Sequence, residues 1–568
     1  MYRFALSIWL LSHCFSTDGQ LFRPNTYPLK EFRNPLDIPI RLAANFGELR
    51  LNHYHMGLDI RTEHRENLPV YASADGYIYK IKIEPFGFGQ AIYIRHPNDF
   101  VSLYAHLNSF YAPLASYVKQ KQYEMEKWDI SVELPNGLLP VKKGDLIAYS
   151  GNMGGSEGPH LHFEIRTFPD DVNANPMLFG LPITDNTPPT IKSLSVYDRD
   201  KSFYEQTPSF LPVKGRSGRF SINRQVLVVN SPNPGFGISG FDTQSGSGNP
   251  NGIFQGIVYD NGKAVSGFQM DKISYDDTKG INAHIDYPTH VRGGPYYQLL
   301  FKMPGYHHSI YRESQGGGKI HLEDRQIHQI RIELRDAYGN TTNLEFKVRY
   351  LPIEKVKMLN GGKMFYPGMV DGYESDEAAF YLGENCLYDS VHLSYSKEIT
   401  DEEKNVVSAT HQFGSNRIPL ADSMIVRIKS SKPVSQKQRV LLQWFEGNES
   451  DVKKPDWLGD WATAGYRNFG NFRLILDTEP PLIRFPGILE NSNLENTGQI
   501  IVLVQDNNKK IKNFQALLDG NWLMFSNDKA RAYVYKFDEH CSKGHHELKI
   551  YAEDEAGNSA SQIIHFIR

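Results

Sequence analysis

The sequence has 568 residues, enough for about four domains at roughly 150 residues each. With 40% hydrophobic and 22% charged residues it has the balance of a globular chain, not a disordered one. Lys plus Arg (61) nearly balance Asp plus Glu (65), so the net charge of −4 gives no pull toward nucleic acid, and three cysteines exclude a disulfide scaffold or a multi-cysteine metal site.

A 12% aromatic content with 47 Gly and 32 Pro predicts a mainly β chain of short strands and many turns. At the start, Arg3 precedes the apolar run Phe4 to Leu11. That run is too short to span a bilayer and suits a signal peptide over residues 1–16, cleaved after Ser16. A lipid anchor on Cys14 is the alternative, although His13 stands where a lipobox has a small residue. The mature chain is then exported, to the periplasm, cell envelope or exterior, without a transmembrane helix.

The first domain, 17–185, reads as strands around Val70–Ala74, Tyr77–Ile81, Ala91–Ile94 and Val101–Tyr104. Leu114 to Trp128 differs. It lacks Gly, is rich in Lys, Gln and Glu, and follows Pro113, which predicts a helix inside an insertion at about 108–139. Past it, a repeat appears. Asp185-Asn186-Thr187-Pro188-Pro189 resembles Asp477-Thr478-Glu479-Pro480-Pro481, and each following block closes on Asp-x-x-Gly-Asn, at Asp336–Asn340 and Asp554–Asn558. A stiff Pro-Pro start and a Gly-Asn hairpin turn predict two copies of one β-sandwich module, at 187–350 and 478–568. Between them, 351–477 reads as a β domain of uncertain type.

Three motifs in the first domain carry chemistry: His55-Met56-Gly57-Leu58-Asp59, Tyr104-Ala105-His106-Leu107 and Gly158-Pro159-His160-Leu161-His162-Phe163-Glu164. On a strand, His160 and His162 share one face while Leu161 and Phe163 turn to apolar packing. Two imidazoles on one face serve one metal, or divide metal binding and proton transfer between them. His55 and Asp59 add an imidazole and a carboxylate, with Gly57 permitting a bend between them.

These motifs resemble the lysostaphin-type (LytM-like) zinc endopeptidases, which cleave peptide cross-links in bacterial peptidoglycan. The resemblance runs from about Phe46 to Pro176. It includes Val70–Gly76, Val141–Asp145, Ser150–Gly154 and the dipeptide Asn175-Pro176. It implies a LytM-like β-sheet (a duplicated hybrid motif), followed by modules similar to Ig-like β-sandwiches. By the same resemblance His55, Asp59 and His162 hold Zn2+, and His106 and His160 are the catalytic histidines. The implied substrate is the peptide stems of peptidoglycan, and the β modules offer a surface for an envelope protein partner. The departure from the family is the insertion, which begins directly after His106-Leu107 and is expected to wall or lid the cleft.

Other motifs read as structural. His96 is expected to be an exposed strand-end residue, and His53 and His64 solvated loop residues. Asp336 and Asp554 have the option of calcium, but their context is explained by side chains capping their own turns. His540, Cys541, His545 and His546 fall at the start of a repeat strand. The rival to an enzyme is a non-catalytic envelope protein that binds peptidoglycan or regulates a partner hydrolase; the filled set His55, Asp59 and His162 argues against it.

Overall fold

A computed structural model describes residues 21–23, 25–352, 361–399 and 405–568. The expected signal peptide and Cys14 lie outside them. The chain is mainly β, with 46% strand against 7% helix.

The first sheet holds the three motifs. Its main path runs β1 (Leu42–Ala44), β2 (Leu58–Arg61), β7 (His160–Thr167), β5 (Phe100–Ala105), β4 (Gln90–Arg95), β3 (Gly76–Ile83) and β6 (Ile130–Glu133), all neighbours antiparallel. One face of β2 and β7 supplies Leu58, Ile60, Leu161, Phe163 and Ile165 to a dry core, each with no exposed surface. By strand alternation, Asp59, His160, His162, Glu164 and Arg166 take the other face.

The insertion folds as α1 (Ala112–Met125), with Pro113 in its first turn, where a missing N–H costs nothing. Leu114, Val118 and Gln122 are buried, whereas Met125 is 46% exposed. The opposite side of α1 meets the C-terminal module. Lys119 Nζ lies 2.8 Å from Asp538 and 2.7 Å from Glu539, and the Tyr123 ring stacks on His540 at 3.8 Å between centroids.

In the two repeat modules, β8 (Thr190–Asp198) pairs with β9 (Pro234–Phe241), and β10 (His328–Arg335) with β11 (Thr341–Tyr350). In the last, β12 (Leu482–Arg484) pairs with β13 (Gln499–Gln505), and β14 (His545–Asp554) with β15 (Ser559–Ile567). The segment between them carries two five-stranded antiparallel sheets around Phe380, Phe413, Val426, Leu442 and Phe472.

The cores do not stop where the motif pattern suggests. Phe46 and Tyr54, from the segment before the first motif, and Met56 within it bury in the core of the 187–350 module. Asn173–Ala174 extends the first sheet by pairing with Lys272–Ile273 of that module. This seam carries Tyr275 and Thr278 to the histidine-bearing face of the first domain.

Candidate active site

Register builds the site. Asp59 on β2 lies directly opposite His162 on β7, which in turn lies opposite Ala105 at the end of β5. His106 follows at φ +59°, a left-handed conformation that swings its ring back over the sheet. His55 precedes β2 by one turn of chain. Gly57, between His55 and Asp59, lies at a bend, as expected, and is also required for closeness. Its φ is not left-handed, but a Cβ there would stand 2.5 Å from Phe163 O and 3.0 Å from His162 Nε2.

All five expected residues converge. His55 Nε2 is 2.9 Å from Asp59 Oδ1 and 3.1 Å from His162 Nδ1, and His162 Nδ1 is 2.8 Å from Asp59 Oδ1. His160 Nε2 sits 3.3 Å from the same carboxylate oxygen. The ring centroids of His106 and His160 are 4.7 Å apart. His53 and His64 are exposed on the rim, as expected.

The partners behind these side chains decide their chemistry. His55 Nδ1–H donates to Asn45 O at 2.8 Å, so its Nε2 presents a lone pair. His162 Nε2–H donates to Glu164 Oε1 at 2.9 Å, so its Nδ1 does the same. Two lone pairs and a carboxylate oxygen thus face one another in a buried pocket. Acceptors held that close repel unless a cation or a proton lies among them, so the donor set fits a metal ion. In the metal-free state the proton fills that role. Burial alone would lower His162, but the hydrogen bonds and charges of Asp59 and Glu164 outweigh it and push it up to about 9.

Glu164 is the residue that the motif reading left without a role. It is fully buried, accepts from His162, Tyr275 Oη (2.7 Å) and Arg166 Nε (2.7 Å), and is held down to about 2 because Arg166 and His162 outweigh its burial. Arg166 lies under Tyr275, 4.7 Å from the ring centroid. The alternation that placed His160 and His162 on one face extends two steps further, to Glu164 and Arg166. Asn45 and Tyr275 left no signal: Asn45 acts through a backbone carbonyl that any residue carries, and Tyr275 comes from a distant segment.

His106 Nδ1–H donates to Met153 O at 2.7 Å, leaving Nε2 free as an acceptor. Burial, then the neighbouring His160 and His162, lower His106 to about 3, so its ring is neutral. His160 Nδ1–H donates to Gly158 O at 2.8 Å. His96 corrects its expectation. It is only 2% exposed and links Asp75 O (2.8 Å) to Ser102 Oγ (2.8 Å), tying a turn to β5.

The cleft over this face has a volume of about 970 Å³. Its walls include Arg50, Lys82, Phe88, Glu157 and, from the next module, Tyr275 and Thr278. No residue of 108–139 lines it. The insertion is therefore not a wall or lid; the charged and aromatic side of α1 is used against the C-terminal module. That module reaches the cleft by another route. Asp528 Oδ1 accepts from Gly154 N (2.8 Å), Lys529 N donates to Pro85 O (2.7 Å), and Lys529 Nζ donates to Ser156 O. These contacts clamp the two loops, 84–89 and 151–158, that flank His106 and His160.

An antiparallel sheet thus presents a trio that could hold a metal ion, with two further histidines beside it, in one cleft. Residues 53–123 match the family described as Peptidase family M23, so this part of the chain is similar to LytM-type peptidases. Residues 363–477 match a Zu5-like domain. Among relatives, an uncharacterized metalloprotease of Haemophilus influenzae is 31% identical over 27% of this chain and 28% of its own. The DD-carboxypeptidase/endopeptidase Mpg of Neisseria meningitidis is 35% identical over 26% of this chain and 29% of its own. Peptidoglycan DD-endopeptidase ShyA of Vibrio cholerae is 29% identical over 30% of this chain and 35% of its own. The chain thus spans about a third of the length of these relatives. The catalytic domain of lysostaphin from Staphylococcus simulans is similar at 23% identity and a TM-score of 0.19, over 25% of this chain and 91% of that domain.

Proposed function

We propose that this chain is an exported zinc endopeptidase that hydrolyses peptide cross-links of bacterial peptidoglycan. The observation that carries the reading is the convergence of His55 Nε2, Asp59 Oδ1 and His162 Nδ1, two of them fixed as lone-pair donors by Asn45 O and Glu164. The name of the relative ShyA, a peptidoglycan DD-endopeptidase, supports the substrate class and a place in the cell envelope. No helix among the described residues is long and apolar enough to cross a membrane.

His55, Asp59 and His162 would hold the zinc, which supplies a water acidified to a pKa of about 7 and polarises the scissile carbonyl. His106 Nε2, neutral and unpartnered by protein, takes the proton of the attacking water as its oxygen bonds to the carbonyl carbon. His160, its Nδ1–H held by Gly158 O, stands beside Asp59 where the carbonyl oxygen gains negative charge. As the C–N bond breaks, His106 returns its proton to the leaving amine, giving a free carboxylate and a free amine.

The test is digestion of purified peptidoglycan, with fragments read by mass spectrometry, with and without a zinc chelator. Chelator-sensitive loss of cross-linked peptides is expected, and Asp59→Ala should bind no zinc and release nothing. Full release by zinc-free protein would overturn the reading. So would absence of release by the zinc-loaded chain across peptidoglycans of different cross-link chemistry.

A further inference from the structure

A second convergence of carboxylates lies far from the cleft, and the chain builds it twice. Thr190 pairs with Phe241, and Leu482 with Gln505, each five residues after the aspartate that opens its module. The next residues, Asp242 and Asp506, therefore fall at equivalent points beside Asp185 and Asp477. The hairpin turns after β10 and β14 add Asp336 and Asp554. In each module three carboxylates bring oxygens within 4.8 Å of one another.

At the first site two of the three carboxylates are satisfied. Asp336 accepts from Tyr338 N, Asn340 N and Asn340 Nδ2, as a turn cap should. Asp185 Oδ1 accepts from Thr187 N, Ser245 N and Ser245 Oγ. Asp242 is different. It is 2% exposed, it belongs to the same convergent trio, and its Oδ1 has no hydrogen-bond donor. Burial, then the charges of Asp336 and Asp185, push it up to about 8. A buried carboxylate aimed at two others, with one oxygen left without a donor, is costly unless something positive joins them.

The second module shows the same scaffold with a different solution. There Asp506 is only half-buried, and Asn507 Nδ2 (3.1 Å) and Asn508 Nδ2 (2.7 Å) donate to the two oxygens of Asp477. Side-chain amides thus serve both oxygens of Asp477, where at the first site only Asp185 Oδ1 is served; Asp506 Oδ1, like Asp242 Oδ1, has no donor, but its residue is less buried.

We propose that Asp185, Asp242 and Asp336 bind a calcium ion at the joint between the peptidase domain and the module that follows it. The donors are all oxygen, which suits a hard cation, and three convergent carboxylates suit calcium better than magnesium, which commonly keeps its waters and takes one or two. The position gives the ion a structural task. The loop that begins at Asp242 is bonded to the first domain through Gln244 Oε1 to Leu42 N (3.0 Å), Gln244 Nε2 to Ile40 O (3.0 Å) and Gly252 N to Asn45 Oδ1 (2.8 Å). Ala337 and Tyr338, next to Asp336, pack against the peptidase core. Calcium would tie both segments to one point.

The test is calorimetric titration of the full zinc-loaded chain with calcium chloride, together with thermal melts in calcium and in a calcium chelator. Uptake in the range of about 10⁻⁴–10⁻³ M or tighter and a raised melting temperature are expected. Asp242→Asn should lower the calcium stoichiometry by one, lose the thermal response, and melt no lower than wild type in chelator, because the repulsion is gone. Asp185→Asn provides a second variant should Asp242→Asn fold poorly, and Asp506→Asn should keep the response. No calcium uptake by wild type up to about 10 mM would overturn the proposal. Undiminished stoichiometry in folded Asp242→Asn or Asp185→Asn, or loss of the response in Asp506→Asn alone, would do the same.

Discussion

Replacing Glu164 by Gln tests whether the metal trio is held by its outer partners. The substitution keeps size but removes a charge buried between His162 and Arg166. The amide has one oxygen for three donors, and its NH2 opposes either His162 Nε2–H or the Arg166 guanidinium. Breaking a buried pair costs about 3–5 kcal/mol. Asp171, 3.0 Å from Arg166 but 61% exposed, keeps a partial partner, so the cost belongs near about 3 kcal/mol. For a domain of this size that is a fall of roughly 6–12 °C in melting temperature. His162 also loses the acceptor that fixes its Nδ1 lone pair, and zinc affinity should fall about 10–100-fold. Competition against a chromophoric chelator reads the affinity, and melts of the metal-free protein read the stability. If Glu164→Gln kept zinc within about threefold of wild type, the outer partner would be doing nothing and the reasoning would fail.

His106→Ala should retain full zinc but lose turnover by at least about 100-fold; equal activity at saturating zinc would remove His106 from the proton path. Gly154→Ala places a Cβ 2.2 Å from Gly89 N at φ +71°, so the loop holding Met153 O must shift. A displacement of about 1 Å there predicts roughly 100-fold lower kcat, with zinc content unchanged, measured by turnover against metal analysis. Lys529→Ala releases Ser156 O and should lower kcat by roughly tenfold while leaving the melt of the peptidase domain in place. In the metal-free chain the proton on His162 stabilises the fold fully below about pH 6.5 and is lost as pH rises through about 9. Chelator-treated protein should therefore melt lower at pH 9.5 than at pH 6.5, and zinc uptake between those values should release up to one proton, read with a pH dye in weak buffer.

Much of this was legible in the sequence because it is periodic or local. The period-2 pattern of residues 160–166 places two histidines on one face, and it would have placed Glu164 and Arg166 there too had it been followed further. The repeat at Asp185 and Asp477 was legible from its turn chemistry. What stayed hidden comes from pairs distant in sequence. Asn45 is ten residues from His55, yet acts only because Gly252 holds it from another module. Tyr275 reaches Glu164 across 111 positions. The insertion was read from its place beside His106 as a cover for the cleft; its direction depends on Asp538 and His540, which no local pattern connects to it. Gly57 was legible as a bend between His55 and Asp59, while its closeness to a neighbouring strand leaves no mark in a single sequence.

The clamp on the catalytic loops has a temporal side. Gly154 is held by Asp528, a residue 374 positions later in the chain. During synthesis the histidine motifs emerge long before the segment that steadies them. A peptidase assembled in this order gains its full working geometry only when the far module has folded and docked. A molecule truncated or stalled on the way would keep its ligand trio and still be a poor catalyst, so completeness of the chain is checked at the cleft itself.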